Sequence, residues 1–560
     1  MKILHRFTRF LKNLSIPQGR KTAPDAISKP KDTQAPHHDV AAPLVVRQNE
    51  EHDCAAYTDL KKQFRDIGRI GAVAETLGRD FLTAMPEGAW KSRLSQIAYM
   101  HRLMHEKMTD RTIAGQIDRA KSHLENNNDN WDEWDRANLQ EIERSHRRAA
   151  CIDGELTETE ARLAYEGRRH HRNMLAAGDW MQAREFLSRT IDMKCRVADA
   201  TCRATGKNSA YDVLLDEFMP GVSQGDLEGW FKTIKTGFDK ILPQALEKQS
   251  KESEPLPITD YYPAKAQMWL NRALLKAIDF DFERGGLYET GHNPVEGGTP
   301  DDTRLVISTA DTSNFMDSLK STLHEGGHGL YIQGLPRKTW RYQPVAQDMG
   351  AAMQESQALL IDMIVGRSPA FFEFLSPRME GLFHGLKNPV LSARNLYKLR
   401  TQVKPTMVRR KADEITYFYH ILHRFRLERD LIGRRLKVAD LPEAWNAGME
   451  DLLGVQPQSY AEGCLQDVHW FVGKFGYFPS YATGHMLAAQ QFAALSKDIP
   501  NIDAQIASGD FLPLTNWLRE NIHQQGRVKD MDTLMKNATG SNITPKHLLS
   551  HIENRYVRAA

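Results

Sequence analysis

From about Tyr57 to Lys248 the chain alternates apolar and charged positions with the period of amphipathic helices, which predicts a helical first half. Asn126 to Asn130 breaks that pattern, Thr157 to Glu160 reads as a capping box, and Ser223 to Asp226 marks another helix start. The proline-bearing stretch Glu254 to Pro263 then gives way to a different texture. Gly285-Gly286, Gly291 and Gly297-Gly298 punctuate short runs, and Asp302 to Thr309 has the β-branched content of a strand. Helical texture returns after it and continues to the C-terminus, with no internal repeat. The expected fold is mainly α, a large helical body with a small β-element ahead of one central helix.

That central helix is predicted from Met316, Leu319, Leu323, Gly327 and Leu330, an apolar stripe at three- and four-residue steps, with Gly334 and Pro336 as its stop. Its glycine pair, Gly326-Gly327, costs about 1 kcal/mol each in helix propensity, so packing must hold it. In Val345 to Val365 the residues Ala352, Glu355, Leu359 and Met363 form a second stripe. Gly366 ends that helix, and Ser368-Pro369 opens the next with an N-cap and a first-turn proline. A further helix is expected from Asp413 to Ile432.

Composition narrows the class. With 560 residues, 41% hydrophobic and 26% charged, the chain can bury one large core or two lobes around a cleft. Its 74 basic and 72 acidic residues leave a net charge of +2, which supplies no field for a nucleic-acid partner. No apolar run reaches the roughly 18 residues of a transmembrane segment. Cys54, Cys151, Cys195, Cys202 and Cys464 are odd in number and lack CxxC spacing, as free thiols of a reducing, cytoplasmic compartment would be. Residues 1–52 read as a basic tail outside the fold, and 53–560 as one catalytic domain. Ile3, Phe7, Phe10 and Leu11 among basic residues give the tail a second reading, a short amphipathic helix that touches a membrane surface or directs import to an organelle.

The candidate chemistry lies on the central helix, in His324-Glu325-Gly326-Gly327-His328. Two imidazoles four residues apart share one helical face and can reach a single Zn²⁺, while Glu325, rotated by roughly 100°, is placed to take a proton from attacking water. A catalytic zinc site needs a third ligand, for which Asp348 and Glu355 are the candidates. Glu355 sits among apolar neighbours, where a metal would relieve the cost of a buried carboxylate; Asp348 is expected near the helix start. The strand at 302–309 could align an extended peptide along its edge.

Several runs together resemble the carboxypeptidase Taq family of metallocarboxypeptidases, from about Asp53 to Ile552. They are the zinc run with Gly329-Leu330-Tyr331 after it, Gln354-Glu355-Ser356-Gln357, Val408-Arg409-Arg410-Lys411-Ala412-Asp413, and Gly463 to Trp470 running on into Phe475-Gly476-Tyr477-Phe478-Pro479. The resemblance implies a helical, zincin-like body cut by a deep groove, a homodimer, and release of single C-terminal residues from peptides with Zn²⁺ or Co²⁺. It further implies His324, His328 and Glu355 as metal ligands and Glu325 as the base.

A carboxypeptidase must also hold its substrate's free carboxylate, which a guanidinium can pair at both oxygens. Arg409 is the first candidate and Arg304 the second. Tyr477 or Tyr481 could donate to the oxyanion, and His469 could orient a substrate carbonyl. His292 stands in a departed family run, and His420 and His423 read as ordinary helix or groove residues. Gln354 replaces a family histidine, Val306 a threonine and His485 an asparagine. Two other readings stay open: a zinc oligopeptidase cutting within short peptides, and a degenerate peptide-binding scaffold.

Overall fold

The computed structural model describes residues 52–290, 297–384 and 388–558; the basic segment 1–51, Gly291 and His292 lie outside them. The first half is helical: α1 Ala55–Thr83, α2 Trp90–Met108, α3 Arg111–Asn126, α4 Glu133–Ala149, α5 Gly154–Ala177, α6 Trp180–Thr205, α7 Ala210–Phe218, α8 Gln224–Ser250 and α9 Ala264–Ala277. A small sheet follows, built of β1 Gly285–Thr290, β2 Gly298–Thr299 and β3 Asp302–Ser308. Then come α10 Phe315–Gly334, α11 Ala351–Leu359, α12 Pro369–Met379, α13 Ala393–Thr401, α14 Thr416–Ile432 and α15 Leu441–Leu453. The chain closes with α16 Pro479–Asp498, α17 Ile502–Ser508, α18 Leu512–Asn521, α19 Met531–Thr539 and α20 Lys546–Glu553. The fold is therefore mainly α, as its periodicity predicts.

Strand β3 is central in the order β1-β3-β2. It runs parallel to β1 from Gly285↔Thr303 to Thr290↔Ser308 and antiparallel to β2 at Gly298↔Thr303. Leu305, Val306 and Ile307 are fully buried, so the strand forms a floor on which α10 lies. Helix α11 packs between α10 and α16, which brings two helices and the sheet to one place.

Several helix starts differ from expectation. Helix α5 begins at Gly154, where Asp153 accepts from the Leu156 amide at 2.7 Å; Thr157 lies inside the first turn and donates back to the Asp153 carbonyl at 3.0 Å. The capping box at Ser223 and Asp226 is present. The stretch 345–365 is not one helix. Gly350, at φ +94°, breaks it, and a side chain there would meet the Phe218 carbonyl at 2.5 Å. Past α11 the backbone widens into a π turn, Leu360–Val365, ending at Gly366. Ser368 caps α12 as expected. Helix α14 starts at Thr416 because Asp413 accepts from the amides of Ile415 and Thr416. All five cysteines are free thiols, and no helix among the described residues is long and apolar enough to cross a membrane.

Candidate active site

His324 and His328 project from one face of α10 with their rings edge to face, 5.0 Å apart. Glu355 comes to them from α11. Its Oε2 stands 3.6 Å from His324 Nε2 and 3.9 Å from His328 Nε2, and one donor atom from each residue falls within 4.8 Å of the others. Two imidazole nitrogens and a carboxylate oxygen are the donor set that Zn²⁺ takes in catalytic sites. Asp348 does not join them: its carboxylate turns back to accept from the Gly350 amide at 2.8 Å.

The glycine pair explains how α11 comes close enough. A Cβ at Gly327 would lie 2.4 Å from the Gln357 carbonyl and 2.6 Å from Ala358 Cα, so the two helices cross where α10 has no side chain. What costs helix propensity in sequence is required by the packing.

Two of the three donors are held by hydrogen bonds, and the third has an anion behind it. His328 Nδ1 lies 3.1 Å from Gln354 Oε1; with the amide oxygen there, the ring donates from Nδ1 and keeps its Nε2 lone pair towards Glu355. His324 Nδ1 stands 3.9 Å from Asp362 Oδ2 on the π turn. The Tyr477 hydroxyl donates to Glu355 Oε1 at 2.8 Å. Burial pushes the Asp362 carboxyl up, but Arg400, Lys320 and Arg367 together hold it below the usual range, so it stays anionic behind His324.

These residues line a groove of about 440 Å³, with Glu325 buried in its wall. Arg409, Tyr477, Tyr481 and His469 line it too. Arg409 is already engaged: Nε and Nη2 donate to Asp467 Oδ1 at 3.0 and 2.9 Å, and Nη1 to the Tyr417 hydroxyl at 3.3 Å. Arg424 holds the other oxygen of Asp467 at 2.6 Å. His469 Nε2 is 3.1 Å from the Tyr481 hydroxyl, and burial, reinforced by Arg409, keeps its ring neutral.

Arg304 is not in the groove. It pairs with Asp302 through two 2.8 Å bonds and lines a separate cavity beside α1. Ser308 is the β3 residue that reaches the groove, and it stands four residue steps, about 13 Å, along the strand from Arg304. His485 bonds Glu414, Val306 is core, and His420 and His423 are buried away from the groove lining. Sequence reasoning passed over Lys320, Asp362 and Arg410, all of which line it. Lys320 carries a legible signal: it precedes His324 by four residues on the same helical face.

A helical body whose groove gathers paired histidines and a glutamate defines a metallopeptidase. The family described as Carboxypeptidase Taq (M32) metallopeptidase matches residues 59–556, and the chain belongs to that family, the peptide hydrolases of carboxypeptidase type. It is 31% identical over 509 residues to Thermostable carboxypeptidase 1 of Thermus thermophilus, covering 90% of this chain and 98% of that one. The Pyrococcus furiosus protein of the same name is 28% identical over 497 residues, covering 88% and 97%. The solved structure of metallocarboxypeptidase 1 from Trypanosoma cruzi superposes with a TM-score of 0.84 at 29% identity, covering 90% of this chain and all of that one.

Proposed function

We propose that this enzyme releases single residues from the C-termini of peptides, with Zn²⁺ held by His324, His328 and Glu355 and Co²⁺ able to take the same donors. The observation that carries this reading is the convergence of the three donors, with His328 and Glu355 hydrogen-bonded from behind and the Asp362 carboxylate 3.9 Å from His324. Such a cation supplies Lewis acidity, polarising the scissile carbonyl and making water a stronger acid. Glu325 takes the proton of the attacking water and passes it to the leaving amine. Tyr477 holds Glu355 in place. Tyr481, beside His469, faces the groove and donates to the oxyanion as negative charge develops. Arg409 fixes Asp467 and, through it, the run that carries His469.

Residues 53–560 act in this reading as one catalytic unit, paired with a second copy as a homodimer, and five free thiols favour a reducing compartment such as the cytoplasm. The scaffold alternative drew its motive from Gln354, which here orients His328. The test is a peptide and its C-terminally amidated twin, followed by mass spectrometry. Stepwise loss of C-terminal residues from the free acid alone supports the reading; equal cleavage of both at internal bonds would replace it with an oligopeptidase.

A further inference from the structure

We propose that Lys320 and Arg410 form a carboxylate-binding pole in the groove, taking a carboxylate carried by the last residue of the substrate. The inference rests on the carboxypeptidase reading and names the residues that select its substrates.

Lys320 stands about one turn before His324 on the same face of α10, about 6 Å along the helix axis. In an extended peptide one residue spans about 3.5 Å, so with the scissile carbonyl at the histidines the last residue reaches the level of Lys320. The Lys320 ammonium lines the groove and donates to the Arg410 carbonyl at 2.8 Å. The acidic charge it feels is Asp362, which is already bonded by Arg400. Burial first, and then Arg400, Arg367 and Arg410, push Lys320 down to about 7 against the pull of Asp362. A cation desolvated among cations is costly, and an incoming carboxylate relieves that cost.

The neighbouring guanidiniums divide the work. Arg409 is committed to Asp467 and Tyr417. Arg410, the next residue, lines the same groove, with Nη2 3.4 Å from Ser308 Oγ, and its fork geometry suits a carboxylate. An ammonium from α10 and a guanidinium from the turn ahead of α14 thus both line the groove, joined where Lys320 bonds the Arg410 carbonyl.

The carboxylate can be the terminal α-carboxylate or an acidic side chain, and the experiment separates them. Full-length, metal-loaded enzyme is assayed on N-blocked dipeptides ending in Leu, Gln or Glu and on the Leu amide. In K320M, KM rises by about 10- to 100-fold while kcat falls less, bound metal matches wild type, and K320R recovers most of the loss. Equal losses on Leu, Gln and Glu identify the α-carboxylate; a loss confined to Glu identifies the side chain. R410M, at an exposed position, raises KM in the same pattern and decides the matter should K320M not fold. Unchanged KM on all three acids in the folded variants, or a loss that follows bound metal, would overturn the proposal. Failure of wild type to release a residue from any of the acids would instead remove the carboxypeptidase reading beneath it.

Discussion

The Tyr477 hydroxyl donates to Glu355 Oε1 at 2.8 Å, joining the glutamate of α11 to a loop 122 residues later. That bond fixes the carboxylate rotamer so that Oε2 faces the two imidazoles. Tyr477→Phe removes the donor and keeps the ring. It should weaken metal binding by about 10-fold, at the lower end for a partner of a metal ligand, and lower turnover at limiting metal. Competition with a chelator measures it; unchanged affinity would mean that the bond does not position Glu355.

Gln354 fills a position where the resembling family carries histidine, and its oxygen is 3.1 Å from His328 Nδ1. Gln354→Leu leaves that ring nitrogen without its acceptor. Metal affinity should fall by about 10- to 100-fold, whereas Gln354→His should retain most of it. Equal affinities for wild type and the leucine variant would show that packing alone orients the ring.

Gly327 lets α10 and α11 touch. In Gly327→Ala the new methyl meets backbone atoms at 2.4 and 2.6 Å, so the helices must separate by several tenths of an ångström or more. The expected cost is about 1–3 kcal/mol of stability, with loss of bound metal as Glu355 is carried away. In Gly326→Ala the methyl meets the side-chain tips of Leu275 and Ile278, and the cost should be smaller. Thermal unfolding of the two variants gives the comparison, and reversal of their order would contradict the packing argument.

Glu428 is buried beneath the loop that carries Tyr477, accepting from Trp470 Nε1, the Tyr211 hydroxyl and the Gly476 amide. Burial pushes its carboxyl up to about 8 from 4.5, against the pull of those donors. A raised folded value means that the native state binds more protons, so this contribution is full below about pH 4.5 and is lost as pH rises through about 8. Wild type should therefore lose stability relative to Glu428→Gln between pH 5 and 8, read as denaturation midpoints. A constant gap across that range would contradict it.

The parts of the site that sequence revealed are those set by local periodicity. The stripe through Leu319, Leu323 and Leu330 placed α10, and burial of Glu355 among Ala352 and Leu359 singled it out from Asp348. What escaped depends on distant neighbours. Asp362 matters because Arg400, 38 residues on, keeps it charged behind His324, and no spacing announces that pairing. Arg304 was a carboxylate candidate, yet it pairs with Asp302 and lines a separate cavity. Arg409 lies in the groove wall, but Asp467, 58 residues later, occupies its guanidinium. Thr157 to Glu160 read as a capping box, and the turn that presents Asp153 to the Leu156 amide starts the helix earlier.

The central claim is that three side chains hold the cation while Glu325 moves the proton, and Glu325→Gln separates these two duties. The variant should retain close to one metal ion per chain, measured by elemental analysis, while release of C-terminal residues falls by about 10²- to 10⁴-fold. A variant that keeps its metal and still turns over near the wild-type rate would contradict the assignment of Glu325.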